Sequence, residues 1–175
     1  VVSVRAGTAL KDLQDALSAS GQMLPFEPPA FGEEATIGGT IASGLSGPSR
    51  PYRGAARDFV LGVRCLNGKG EVLRFGGEVM KNVAGYDIAR LITGSMGTLG
   101  ILTEVSLKVL PSPAYSETRT YEMRLDDAFG LMTSLLSRPL PVSASAFDDG
   151  LLRVRLSGSE AAVKAAGDEL GGELD

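Results

Sequence analysis

The sequence has 175 residues, 43% hydrophobic and 22% charged, with a formal net charge of −4 at pH 7. That is the profile of a globular protein of one domain, or one domain plus part of another. The acidic balance argues against nucleic acid and anionic membrane surfaces, and no apolar run reaches the roughly 20 residues of a membrane span. Histidine is absent and Cys65 is the single cysteine. This excludes, within the chain, a histidine base or metal ligand, a histidyl–cofactor bond, an intrachain disulfide and an iron–sulfur site. The composition suits a reducing, cytoplasmic setting.

Residues 1–4 read as a short β-branched strand. Thr8 is the expected N-cap of a helix in which Leu10, Leu13 and Leu17 recur at helical spacing, closed by Gly21. Pro25, Pro28 and Pro29 force an extended loop. The stretch FGEEATIGGTIASGLSGPSRPYRG follows, with no charge between Glu34 and Arg50 and a short helix expected near residues 36–43. Residues 59–75 form a predicted hairpin around the turn NGKG, with Phe59, Leu61, Val63 and Cys65 on one face. Asp87 is placed to cap a short helix carrying Ile88, Leu91 and Ile92. After GSMGTLG a strand begins, with Ile101, Thr103, Val105, Leu107 and Val109 expected on the buried face.

The PSP sequence at 111–113 marks a predicted boundary. Beyond it the order is strand, helix, strand, strand, helix. Asp126 is the expected cap of a helix burying Phe129, Met132 and Leu136, and Asp148, Asp149 and Gly150 form a hairpin turn. Ser159 caps a second helix with Val163, Ala166 and Leu170. This order is a ferredoxin-like unit short of its last strand. Arg153 and Arg155 alternate with apolar residues and read as the wet face of a strand. The chain opens on VVSVRAG without an initiating Met and stops just after a helical pattern, which reads as a segment of a longer protein.

The chemistry must reside in the glycines. No G-x-G-x-x-G opens a βαβ unit, no Walker A loop is present, and a Ser-His-Asp triad is impossible without histidine. The pair Gly38-Gly39 lets backbone approach a ligand closely, and the start of a short helix favours phosphate. Thr36 and Ser43 add hydroxyls, and Arg50, Arg53 and Arg57 follow. GSMGTLG is a second uncharged turn of small residues. Two such turns in one domain suggest two stretches of backbone lining one elongated cofactor. A surface loop with a local core anchor is the competing reading of each.

Three segments, TIGG.IA…G…R.YRG…D.VLG, R.GG..MKNVAGYD and GS.GTLGILTE.SLKVLP.P, together resemble the FAD-binding domain of the vanillyl-alcohol oxidase / p-cresol methylhydroxylase family. Within that family the chain is similar to flavoprotein subunits of bacterial 2-hydroxy-acid dehydrogenase complexes. The likeness spans the whole chain, with the specific motifs in the first 110 residues.

The resemblance implies an α+β fold. Residues 1–112 would be the C-terminal lobe of the FAD-binding domain, its first lobe lying before Val1, and residues 113–175 the start of a ferredoxin-like cap. It implies that Thr36, Ile37, Gly38 and Gly39 lie against the FAD pyrophosphate and ribose, with Ala42 and Ser43 toward the flavin. Gly97, Thr98, Gly100, Ile101 and Thr103 would contact FAD from the second turn, and Pro29 from the preceding loop. With half the cradle missing, this segment alone is expected to bind FAD weakly or not at all.

The flavin is expected to be noncovalent, since no histidine exists and Cys65 alternates with buried strand residues. The implied activity is oxidation of a small 2-hydroxy acid, glycolate to glyoxylate. The implied partners are a sister FAD-containing subunit and an iron–sulfur subunit, in the cytoplasm or held by those partners on the inner face of the membrane. No catalytic base is found here. Lys81, Tyr86 and Asp87 read as structural, with Tyr86 packing and Asp87 capping, against a role near flavin or substrate. Two alternatives stay open: an assembly subunit that has lost flavin, and a stand-alone FAD-linked oxidase of another hydroxy acid.

Overall fold

A computed structural model describes residues 1–77 and 85–175, so Lys81 lies outside the described residues. The chain falls into two units, Val1–Gly47 with Gly54–Ser112, and Pro48–Arg53 with Pro113–Asp175.

In the first unit, strand β1 (Val2–Arg5) leads through a tight turn into helix α1 (Leu10–Ala19). Thr8 closes that turn with its N–H on Arg5 O (3.0 Å), and the N-cap is Ala9, not Thr8, with no side-chain bond. Leu10, Leu13 and Leu17 are buried as their spacing demands. Strand β2 (Gln22–Met23) follows, then helix α2 (Ile37–Ser43). Thr36 caps α2 by accepting the Gly39 N–H at its Oγ1 (3.1 Å). The loop after α2 is firmly built. Ser46 Oγ donates to Gly44 O (3.2 Å) and accepts the Ala56 N–H (2.9 Å). Gly47 holds φ 66°, and a Cβ there would fall 2.1 Å from Glu27 O.

Helix α3 (Arg50–Arg53) belongs to the second unit. The hairpin returns the chain to the first: β3 (Val60–Leu66) and β4 (Val72–Gly76) pair antiparallel. Asn67 Oδ1 accepts the N–H groups of Lys69 and Glu71 (2.9 and 3.0 Å) to close their turn. In α4 (Ile88–Ile92), Asp87 accepts the Arg90 N–H (3.1 Å) as a cap. Tyr86, expected to pack, is instead 93% exposed. Strands β5 (Ile101–Leu107) and β6 (Leu110–Pro111) complete the unit. The main sheet runs β1-β5-β3-β4, all antiparallel, and β2 pairs with β6. Helices α1, α2 and α4 share one apolar cluster with the sheet, in which Ile37, Ile41, Val105 and Leu107 are fully buried.

Strand β5 departs from its expected alternation. Glu104 lies opposite Arg64, but Leu102 lies opposite Cys65, so Thr103 is an extra residue in the ladder. This bulge changes which side chains face inward. Val105 and Leu107 stay in the core, whereas Ile101 is 65% exposed and Leu102 packs against the cluster instead.

The second unit contains β7 (Tyr115–Glu122), α5 (Leu125–Leu135), β8 (Val142–Asp148), β9 (Leu151–Gly158), α6 (Glu160–Leu170) and β10 (Glu173–Leu174). Its antiparallel sheet runs β10-β7-β9-β8. The two-residue β10 supplies, beside β7, the fourth strand that the sequence reading left out. Asp149 and Gly150 take φ 45° and 79°, the left-handed pair of a tight hairpin turn.

Helix α5 presents a different face from the one expected. Its N-cap is Arg124, with Asp126 in the first turn, and Ala128 and Leu135 are buried while Phe129 and Leu136 are more than half exposed. Two apolar stripes satisfy the helical period equally, and the one with small Ala128 lets the helix approach Leu152 and Val154. Arg155 lies half-buried with its Nε on Ser143 Oγ (3.0 Å), and Arg153 pairs with Asp175 (3.8 Å).

Candidate functional site

The site lies in the first unit, around the first turns of α2. A hollow of about 350 Å³ has three walls. Ala6 and Gly7, in the turn after β1, form one. Thr36, Gly38, Gly39 and Ala42 form the second. Ser95, Gly97, Gly100, Ile101 and Leu102 form the third. A second hollow, of about 470 Å³, is bordered by Pro29, Phe31 and Glu33 on the loop and by Thr40 and Ser43 on α2. Thr36 and Gly39 line both. The two hollows therefore meet at the first turn of α2, an elongated arrangement with a bare glycine at its centre.

Backbone hydrogen bonds bring these distant segments together. Ala6 N–H donates to Thr103 O (3.0 Å), and Ala6 O accepts the Gly38 N–H (2.7 Å). At the other end of α2, Ile41 O accepts the Gly94 N–H (3.0 Å) and Ala42 O the Met96 N–H (2.9 Å). The GSMGTLG turn is thus docked on the C-terminal carbonyls of α2, which a helix leaves unsatisfied. Inside the turn, Thr98 N–H and Thr98 Oγ1 both donate to Ser95 O (3.0 and 2.7 Å).

The two glycines of TIGG do different work. A Cβ on Gly38 would meet Ala6 Cβ at 2.8 Å and Ala6 O at 2.9 Å, so its bareness lets α2 pack on the β1 turn. A Cβ on Gly39 would meet only Thr36 Oγ1, at 3.4 Å, and otherwise project beside the hollows. The helix start is not an open phosphate site. Ile37 N–H donates to Thr8 O (3.0 Å), Gly38 N–H to Ala6 O, and Gly39 N–H to Thr36 Oγ1. What α2 offers a ligand is close approach of its backbone, together with neighbouring hydroxyls.

Of the residues expected to form the site, Thr36, Gly38, Gly39, Ala42, Gly97, Gly100 and Ile101 surround the first hollow. Pro29 and Ser43 border the second. Ile37, Thr98 and Thr103 line neither. Ile37 has its side chain fully in the core, and Thr103 spends its hydroxyl on Arg64 O (3.2 Å). Sequence reasoning missed Ala6, Gly7, Ser95 and Leu102. Small residues directly after the first strand, in RAG, were the available signal for the first two. Ser95, a residue of the first hollow's wall, has a buried hydroxyl with no partner among the described residues. Among the described residues no charged side chain lines the first hollow, while Glu33 and Glu34 border the second. Cys65 is 1% exposed in the core beneath β3.

A family profile described as "FAD binding domain" matches residues 1–76. The chain is 53% identical over 173 residues to "Glycolate oxidase subunit GlcE" of Escherichia coli (strain K12), covering 99% of this chain and 49% of that protein. It is 37% identical over 116 residues to "Glycolate oxidase subunit GlcD" of Bacillus subtilis (strain 168), covering 66% of this chain and 24% of that protein. Among solved structures, alkyldihydroxyacetonephosphate synthase superposes with a TM-score of 0.74 at 21% identity, over 96% of this chain and 36% of that chain. The last of these is a likeness of fold. The chain spans half or less of the length of each of these relatives.

Proposed function

With residues 1–76 matching a profile of FAD binding domains, we propose that the chain is the FAD-holding part of a subunit of a 2-hydroxy-acid dehydrogenase that converts glycolate to glyoxylate. The observation that carries this is the pair of hollows meeting at Gly39. The first is walled mostly by glycine, alanine and other small residues from three separate segments, among them Ser95, whose buried hydroxyl has no partner among the described residues. A dinucleotide fits such a site by shape, and an unpartnered buried hydroxyl calls for a hydrogen-bonding ligand.

When bound, FAD supplies the two-electron acceptor for oxidation of the substrate CH–OH. The chain's own residues hold and orient it. Gly39 and Gly97 would let it lie against backbone, Ser95 would turn its buried hydroxyl toward its polar groups, and Ala6, Ala42 and Ile101 would exclude water from its apolar surface. Among the described residues no side chain is placed as the base that removes the substrate proton, and the likeness to glycolate oxidase subunits supports assigning that step to a sister FAD-containing subunit. An iron–sulfur subunit is assigned the exit of electrons. Within this segment no histidine is available to tether the flavin and Cys65 is sealed in the core, which supports a noncovalent flavin. No helix among the described residues is long and apolar enough to cross a membrane. The working assignment is cytoplasmic, with attachment to the inner membrane face through partners. In the intact protein, residues 113–175 are the beginning of a ferredoxin-like cap domain.

The test is reconstitution of the full-length protein with FAD, followed by desalting and a flavin absorbance spectrum. Glycolate-dependent reduction of an artificial acceptor by the assembled complex is then measured. Stoichiometric, acid-extractable flavin is expected, and absence of flavin after reconstitution refutes the cofactor assignment. One observation favours a second reading, an assembly module without flavin: the first three N–H groups of α2 are all consumed inside the protein. Under that reading Gly39→Glu leaves both assembly and glycolate turnover unchanged. Under the first, flavin content falls while the complex persists.

A further inference from the structure

We infer that Thr103 is a positioning residue of this cavity: its hydroxyl pins a β-bulge that turns Ile101 out of the core and onto the bound cofactor. The inference rests on the FAD reading above. In an unbroken strand Ile101 has the parity of Val105 and Leu107, which are fully buried, and would join them. The register excludes this. Across the β3–β5 ladder Arg64 faces Glu104 and Cys65 faces Leu102, so Thr103 has no opposite number. One inserted residue inverts the parity of everything before it. Leu102 accordingly takes the inward position beside Cys65, and Ile101 is left 65% exposed on the wall of the hollow.

The interruption is bridged by the residue that causes it. Thr103 Oγ1 donates to Arg64 O (3.2 Å), the carbonyl at the point where the β3 register shifts. The same residue's carbonyl accepts the Ala6 N–H, and Ala6 O accepts the Gly38 N–H. Thr103 therefore ties together the three walls of the hollow without lining it. Bulges beside functional sites commonly re-aim a side chain. Here the re-aimed side chain is a large apolar one, in a hollow otherwise lined by glycine, alanine, Ser95, Thr36 and Leu102. It suits an apolar surface of the dinucleotide better than its phosphates.

The experiment uses the full-length protein, with FAD affinity read by flavin fluorescence titration and folding by thermal melting. Thr103→Val keeps the shape and removes the hydroxyl. It is expected to raise the FAD dissociation constant about tenfold, the scale of losing burial of one isoleucine. Thr103→Ser is expected to bind like the wild type. Ile101→Asp is expected to melt like the wild type and lose FAD, whereas Leu102→Asp is expected to unfold. The proposal is overturned if Thr103→Val binds FAD normally, if Thr103→Ser is as impaired as Thr103→Val, or if Ile101→Asp unfolds like Leu102→Asp. A Thr103→Val protein that fails to fold, beside an Ile101→Asp protein that binds FAD normally, also overturns it. If the wild type itself takes up no FAD, the functional reading fails. The contrast in melting between the Ile101 and Leu102 variants still decides the bulge.

Discussion

Alanine at Gly38 and alanine at Gly39 should have opposite effects on stability, although the two residues are adjacent in one helix. At Gly38 the added methyl lies 2.8 Å from Ala6 Cβ and 2.9 Å from Ala6 O, closer than real contacts allow. Relief requires α2 to lift from the β1 turn, and this stretches the 2.7 Å bond from Gly38 N–H to Ala6 O. Overpacking costs about 1–3 kcal/mol and the weakened bond about 1 kcal/mol. Against these stands a gain of about 1 kcal/mol from replacing glycine by alanine in a helix. The net expectation is destabilisation of about 1–3 kcal/mol. At Gly39 the nearest atom is Thr36 Oγ1 at 3.4 Å, an ordinary contact. Only the helical gain remains, so Gly39→Ala should be neutral to about 1 kcal/mol stabilising. Urea melts of the two variants beside the wild type measure the difference. FAD titration supplies the second half: Gly39→Ala intrudes on the hollows and should weaken binding, while folded Gly38→Ala should bind nearly as the wild type. Equal effects of the two alanines on stability, or a stable Gly38→Ala, would refute the division of labour between these glycines.

Three further outcomes follow from other parts of the chain. Ser95→Ala should leave the flavin-free protein at least as stable, because its buried hydroxyl has no partner among the described residues. It should raise the FAD dissociation constant by roughly fivefold, the worth of one hydrogen bond of about 1 kcal/mol; unchanged affinity by titration calorimetry rejects a role for that hydroxyl. In the second unit, a Cβ at Gly167 would land 2.1 Å from Glu117 Oε1, inside the largely buried pair that Glu117 makes with Arg119 (2.8 Å). Gly167→Ala should therefore destabilise by up to about 2 kcal/mol, overpacking of about 1–3 kcal/mol less a helical gain of about 1 kcal/mol, and a more stable variant in denaturant melts counts against it. Burial raises the pKa of the Tyr121 phenol above its ordinary value, and its hydroxyl reaches Gly171 O (3.2 Å). The fold thus favours the neutral phenol. Its contribution is complete below about pH 10 and is lost as pH climbs beyond the raised value. Tyr121→Phe should flatten the alkaline limb of a stability–pH profile, and an identical limb in both proteins removes Tyr121 as its source.

Local signals in the chain were enough for most of its elements. Thr36 before Ile37, Asp87 before Ile88 and Ser159 before Glu160 announce helix starts, because each short polar side chain can hold an N–H that the helix cannot satisfy itself. NGKG and Asp149-Gly150 announce hairpins, because their turns need residues that tolerate left-handed or side-chain-bonded backbone. The glycine-rich stretches were legible as close-approach turns, but taken alone they left a surface loop open, and the FAD reading came from the order and spacing of three motifs that resemble a known family.

What the sequence could not decide were choices between equally periodic alternatives, and contacts between distant segments. Phe129 and Ala128 lie on rival stripes of α5, and only the shape of the sheet beneath selects the smaller residue. Ile101 carries the parity of a core residue, and only its pairing with β3 reveals that Thr103 breaks that parity. Gly38 and Gly39 are indistinguishable as letters. The nearness of Ala6, more than thirty positions earlier, makes one a packing contact and leaves the other facing the hollows. Caps and turns are settled within a few residues, whereas the walls of the site come from hydrogen bonds and steric contacts between segments that meet only in the folded chain.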